Sequence, residues 1–103
     1  MSVRWSGRGR ARLLEQVAMI AAEDPAVATR WLTKVEDHVL KTAGTLPKLG
    51  RIVPELGRED VRETTLDRRY RIVYRLDGKH AVIVTIFDGH QSWASAKVDP
   101  DAP

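Results

Sequence analysis

The sequence contains no cysteine. Disulfides, a thiol nucleophile and a Cys-ligated zinc are therefore excluded, and a reducing cytoplasm is the expected compartment. No apolar run approaches the roughly 20 residues of a membrane span. The opening stretch MSVRWSGRGRARLL has no secretory h-region, so no membrane association is expected. No glycine-rich segment has the spacing of a Walker or dinucleotide loop. His38, His80 and His90 show no ligand spacing and no pairing with acids suited to zinc, so neither a metal nor a cofactor is expected. There is no internal repeat and no low-complexity tract.

What is present fits one small domain with one core: 103 residues, 43% of them hydrophobic. Net charge is +3, and twelve of the seventeen basic residues are arginine. Two readings of that excess stand side by side. One is a solvated surface of modest charge. The other is an acidic partner or nucleic acid, because arginine forks match carboxylate and phosphate geometry. Arg4, Arg8, Arg10 and Arg12 precede any acid, and Arg62, Arg68, Arg69, Arg71 and Arg75 gather around one predicted strand.

That strand belongs to the stretch around which the chain is organised, YRIVYRLDGKHAVIVTIFD, from Tyr70 to Asp88. Tyr70, Ile72, Tyr74 and Leu76 fall on one face, and Arg71, Val73 and Arg75 on the other. Ala81 to Phe87 is apolar on both faces, the pattern of a central strand covered on both sides. Asp77-Gly78 is the expected two-residue turn of this hairpin. Upstream, Val3-Arg4-Trp5 reads as a short edge strand broken by Gly7 and Gly9. Ser6 or Gly9 is placed to start a helix. An amphipathic helix follows over Arg10 to Glu23, with Leu13, Leu14, Val17, Ile20 and Ala21 on one stripe. Asp24-Pro25 ends it and caps a second helix to about Ala43, whose buried stripe is Ala28, Trp31, Leu32, Val35, Val39 and Thr42. Leu46 to Gly57 reads as a connecting loop, Val61 to Leu66 as a strand. The fold class is therefore α+β: a short N-terminal strand, then an antiparallel helical hairpin packed on a small, mainly antiparallel sheet, in the order β-α-α-β-β-β. Residues 1–96 form the domain. Residues 97–103, rich in Pro and Asp, read as a flexible tail.

Arg62, Arg71 and Arg75 are the cationic set of interest, with Arg71 and Arg75 about 13 Å apart along one strand at roughly 3.3 Å per residue. They suit either a phosphate or carboxylate clamp, or a face where they pair with Glu63 or Asp67. His90, Gln91, Ser92 and Trp93 follow the last strand. They fit a site at a strand end or a plug over the sheet. His38 reads as a packed helix residue, His80 as a surface residue, and Trp5 and Trp31 as core.

These residues bring the chain into resemblance with a known family. Val3-Arg4-Trp5-Ser6, Asp24-Pro25 with Ala28, Leu46-Pro47, Gly50-Arg51, Val53-Pro54-Glu55-Leu56, Val61-Arg62-Glu63, Tyr70-Arg71-Ile72-Val73-Tyr74 and His90 occur in this order. Across residues 3 to 93 the pattern resembles the RelE/ParE superfamily of toxins from type II toxin–antitoxin systems. The resemblance implies a toxin neutralised by an acidic, ParD-like antitoxin in a hetero-oligomer. RelE-like members are ribosome-dependent ribonucleases acting on messenger RNA. ParE-like members poison DNA gyrase. Arg71 matches the arginine of the RelE strand motif, and Arg62 falls where a lysine stands there. Thr64 occupies a second lysine position and Gln91 a further arginine position, while no tyrosine follows in the tail. Cleavage of RNA by its own 2′-OH needs a base, a leaving-group acid and cations on the phosphate. The chain offers Arg62, Arg71 and His90 at most. The expectation is a ParE-type gyrase poison without catalytic residues, using Arg51, Arg62, Arg71, Arg75, His90 and Trp93 toward target or antitoxin. A RelE-type endoribonuclease with Arg62, Arg71 and His90 is the alternative, and a module that only titrates antitoxins is a third reading.

Overall fold

The hairpin from Tyr70 onward lies at the centre of the molecule. In the computed structural model, which describes residues 1–103, strands β4 (Tyr70–Asp77) and β5 (His80–Asp88) pair antiparallel. β1 (Ser2–Trp5) runs parallel to β5 on one side. β3 (Val61–Leu66) and β2 (Arg51–Ile52) extend the sheet antiparallel on the other, giving the order β1-β5-β4-β3-β2. Helices α1 (Gly7–Glu23) and α2 (Pro25–Lys41) cover one face. The α+β fold expected from the sequence is the one observed, with a two-residue strand β2, a 3₁₀ turn at Pro47–Leu49 and a short helix α3 (Trp93–Ala96) added. A two-residue strand and single helical turns show no apolar periodicity in a sequence. No helix is long and apolar enough to cross a membrane.

Both faces of β5 are buried, as its composition requires. Ala81, Ile83 and Ile86 join Trp31, Val35, Val39, Ile72 and Tyr74 in the core beneath the helices. Val82, Val84 and Phe87 join Val53, Val61, Val73 and Ala96 on the opposite face. The change of parity between Ile83 and Ile86 comes from a bulge. Val73 pairs with Thr85 and Tyr74 with Ile83, so Val84 is the extra residue.

Several boundaries differ from the sequence reading. α1 begins at Gly7 rather than Arg10, capped by the buried Ser6, whose Oγ accepts from the Gly9 N–H at 2.9 Å. Gly9 sits inside the helix because a Cβ there would lie 2.4 Å from the Ile83 carbonyl oxygen. Leu14, expected in the buried stripe, is 57% exposed: one helix turn presents only part of a wide apolar face to the sheet. The hairpin turn is Gly78-Lys79, since Asp77 still pairs with His80. Gly78 takes the positive φ of +58° at the first turn position. Residues 97–103, read as a flexible tail, lie against the protein. Arg58 holds the Asp101 carboxylate, Arg75 donates to the Pro100 and Ala102 carbonyls, and the Gly7 N–H donates to the Pro103 oxygen.

Candidate functional site

Strand register decides which of the candidate residues can meet. Directly opposed residues on neighbouring strands share a face. Thr65 opposes Arg71 and Val61 opposes Arg75, so Glu63, Arg71 and Arg75 all point away from the helices. Arg62 opposes Tyr74 on the helix-covered face. The structure therefore separates Arg62 from Arg71 and Arg75.

Arg71 is closed on every side. Its Nη1 and Nη2 donate to both oxygens of Glu55, at 3.0 and 2.8 Å, and Nη2 also donates to Glu63 Oε2 at 2.5 Å. The rings of Phe87 and Trp93 lie 5.3 and 5.2 Å from the guanidinium carbon, a cation–π contact on each. Only 13% of the side chain is exposed, and its Nε is buried without a partner. The bond to Glu55 is the main reason the guanidinium holds its proton more firmly than usual, against the opposing effect of burial. The same bond pulls the Glu55 carboxyl below its ordinary range. Glu63 is 2% exposed, and its other oxygen accepts from Arg51 at 2.9 and 2.8 Å. A buried carboxylate needs such partners, because an isolated charge in the interior is prohibitively costly.

The other candidates are distributed around this network. Arg62 donates to the carbonyls of Glu59, Lys48 and Gly50, tying the 3₁₀ turn to the sheet. Arg75 is engaged with the tail. Arg51 remains 64% exposed while reaching Glu63. Trp93 packs edge-on against Phe87 and over Arg71. His90 lies beyond β5 with its side chain 88% exposed. Its Nδ1 and its backbone N–H both meet Asp88 Oδ1 at 2.9 Å, and Arg69 donates to Asp88 Oδ2 at 3.1 Å. These bonds, the His90 N–H first, hold the Asp88 carboxyl down at about 2. The arrangement leaves His90 with an orienting carboxylate, but the phosphate-binding cations it would need are bound elsewhere.

Sequence reasoning offered Glu63 as a partner for these arginines and quoted Glu55 only within a loop motif. The bonds from Arg71 to Glu55 and the contact of Arg71 with the Phe87 ring were not legible there. A signal existed: a Glu in mid-strand, on the parity of Val61, opposite an arginine-bearing strand.

A second feature is an open groove of about 490 Å³ between the helical hairpin and the β3–β4 tip, floored by Met19, Ile20, Val27, Trp31 and Tyr70. The Trp31 indole N–H is buried there without a hydrogen-bond partner.

A family model described as the ParE toxin of the type II toxin–antitoxin system parDE matches residues 3–93. No curated protein sequence matches the chain. Among solved structures, the chromosomal ParDE TA system from P. aeruginosa contains a similar chain. The two are 22% identical, superpose with a TM-score of 0.69, and the match covers 85% of this chain and 95% of that one. At this identity the likeness is one of fold.

Proposed function

The chain belongs to the ParE family of type II toxins, and on that premise we propose that it poisons DNA gyrase without chemistry of its own. One observation carries this reading against the ribonuclease of the wider superfamily: Arg71 is closed between Glu55, Glu63, Phe87 and Trp93. A cation that must stabilise a phosphate in the transition state has to present free donors to it. Those of Arg71 are directed at carboxylates, and Arg62 lies on the opposite face, bonded to backbone. Of the six residues expected to contact a target or antitoxin, Arg51 and His90 offer the most exposed side chains.

The antitoxin in this proposal is an acidic, ParD-like protein that lays an apolar helix face into the groove over Trp31 and Tyr70, a helix-in-groove mode. The net charge of +3 favours encounter with it. The complex is hetero-oligomeric and forms in the cytoplasm.

The test is DNA cleavage by purified gyrase in the presence of this protein. Cleaved complexes accumulate as toxin is added; if they fail to rise at any ratio, the proposal falls. The exposed His90–Asp88 pair keeps a ribonuclease as the second reading. Primer extension on translated messages distinguishes it by codon-linked cuts.

A further inference from the structure

The N-terminal end of the molecule carries positive charge that the scaffold does not use. Arg4, Arg8, Arg10 and Arg12 all precede the first acid, Glu15. Arg4, Arg8 and Arg10 are exposed. Of the four only Arg12 is engaged, with Glu15 at 3.3 Å and with the Ala96 carbonyl at 3.4 Å. The arginines of β3 and β4 differ, being bound to carboxylates or backbone carbonyls.

These cations form a row where β1 and α1 border the sheet face away from the helices. Arg4 opposes Val82, which packs on that face. Arg12 reaches Ala96 of α3, which covers the same face. Arg8 precedes Arg12 by one helical turn and shares its side, about 6 Å away along the axis at roughly 1.5 Å per residue. Lys97, also exposed, follows Ala96 and extends the row. Arg10 stands on another flank of α1.

Arg8 and Arg10 occupy positions that work against them in the free protein. They open α1, whose first turn contains no acid, and the helix macrodipole there repels cations and favours anions. Two acidic groups meet this end: Glu15, and the chain terminus at Pro103, whose oxygen accepts from the Gly7 N–H at 3.2 Å. The row keeps a positive surplus. Arginine forks match phosphate oxygens, and a row of them along one edge fits a continuous polyanion. A single strand would need exposed aromatic rings on which to stack its bases. Trp5 is turned into the helix-side core, and Trp93 is held on Arg71 and Phe87.

We propose that this row binds the phosphate backbone of double-stranded DNA without reading its sequence. Its setting rests on the gyrase reading, since it sets the toxin against the DNA that gyrase holds. The contact itself is with DNA alone, so it is tested without gyrase and fails separately from poisoning.

The test is fluorescence anisotropy of a short labelled DNA duplex of arbitrary sequence, titrated with full-length protein. Contact with about four phosphates gives a slope of log affinity against log salt near −3.6 between about 50 and 200 mM. Arg8→Glu with Arg10→Glu lowers affinity at least about tenfold and flattens that slope by about 2. Its unfolding midpoint stays at or above that of wild type, because acids suit the start of a helix. Arg4→Gln, at an exposed strand position, reduces the slope by about 1 on its own. Arg30→Glu with Lys48→Glu makes the same change of net charge at exposed positions elsewhere and costs less than about threefold. Three results overturn the proposal: no binding at about 50 mM salt, an equal loss in the Arg30 and Lys48 variant, or a preference for single-stranded RNA or phosphatidylglycerol vesicles over the duplex.

Discussion

Glu63 is fully buried and shares its charge with Arg71 and Arg51, so Arg71→Ala leaves a buried carboxylate with only the exposed Arg51 as partner. The expected loss is about 3–5 kcal/mol of stability, measured by urea unfolding. Arg71→Met combined with Glu63→Leu removes both charges at similar volume and recovers most of that loss. His38 supplies a second prediction. Its Nε2 lies 2.9 Å from Thr64 Oγ1, and burial lowers its pKa from 6.5 despite the pull of Asp67 in the opposite direction. The fold therefore favours the neutral ring, and the unfolded chain takes up the proton first as pH falls. This contribution is complete above the unfolded value of 6.5 and is lost as pH drops through it toward the lowered folded value. Unfolding free energy at about pH 5.5 falls below that at about pH 7.5, and His38→Gln removes this part of the slope. An unchanged slope in His38→Gln would assign the dependence elsewhere. At this scale the sequence named the important arginine but not its occupation. Periodicity tells which face a side chain takes. Whether two faces meet depends on register, and Thr65 opposite Arg71 is what brings Glu63 to it.

Long elements were legible because their physics is local. Asp24 caps α2 through the Ala26 and Val27 N–H groups, at 3.0 and 3.3 Å, with Pro25 at the first helical position. β3 runs Val61–Leu66, as read from its composition. The start of α1 was legible only as a choice between Ser6 and Gly9; Ser6 is the cap, and the choice is fixed by a contact across the molecule. Gly9 looks like a breaker, yet it lets the first turn approach the β5 backbone. Gly9→Ala is expected to cost about 1–3 kcal/mol by forcing that contact apart, visible as a lowered unfolding midpoint. The two hairpin tips differ in a way that yields the opposite sign. Gly78 meets its positive φ with glycine, whereas Asp67 and Arg68 hold φ of 56° and 55° with side chains in place. Asp67 is anchored by Lys34 at 2.6 Å. Arg68→Gly relieves the strain and is expected to raise stability by about 0.5–1 kcal/mol. A lower midpoint in that variant would mean that Arg68 makes a contact outweighing its backbone strain.

The whole molecule is three layers: a helical hairpin, a sheet, and a thinner cover made of the Val53–Leu56 loop, α3 and the tail. Two layers were readable from amphipathic stripes. The third was not, because loops bury residues without a period. Its presence changes the meaning of the arginines on β4, which fasten the cover to the sheet. Arg71 holds Glu55 and Trp93, and Arg75 holds the tail. In the proposed mode of action Arg71 belongs to the scaffold, and gyrase is poisoned without its use as a phosphate clamp. Gyrase-mediated DNA cleavage by the Arg71→Met, Glu63→Leu protein, first verified as folded, tests this most directly. Cleaved complexes are expected to accumulate as they do with wild type. A folded double variant that no longer raises them, beside a wild type that does, would contradict it.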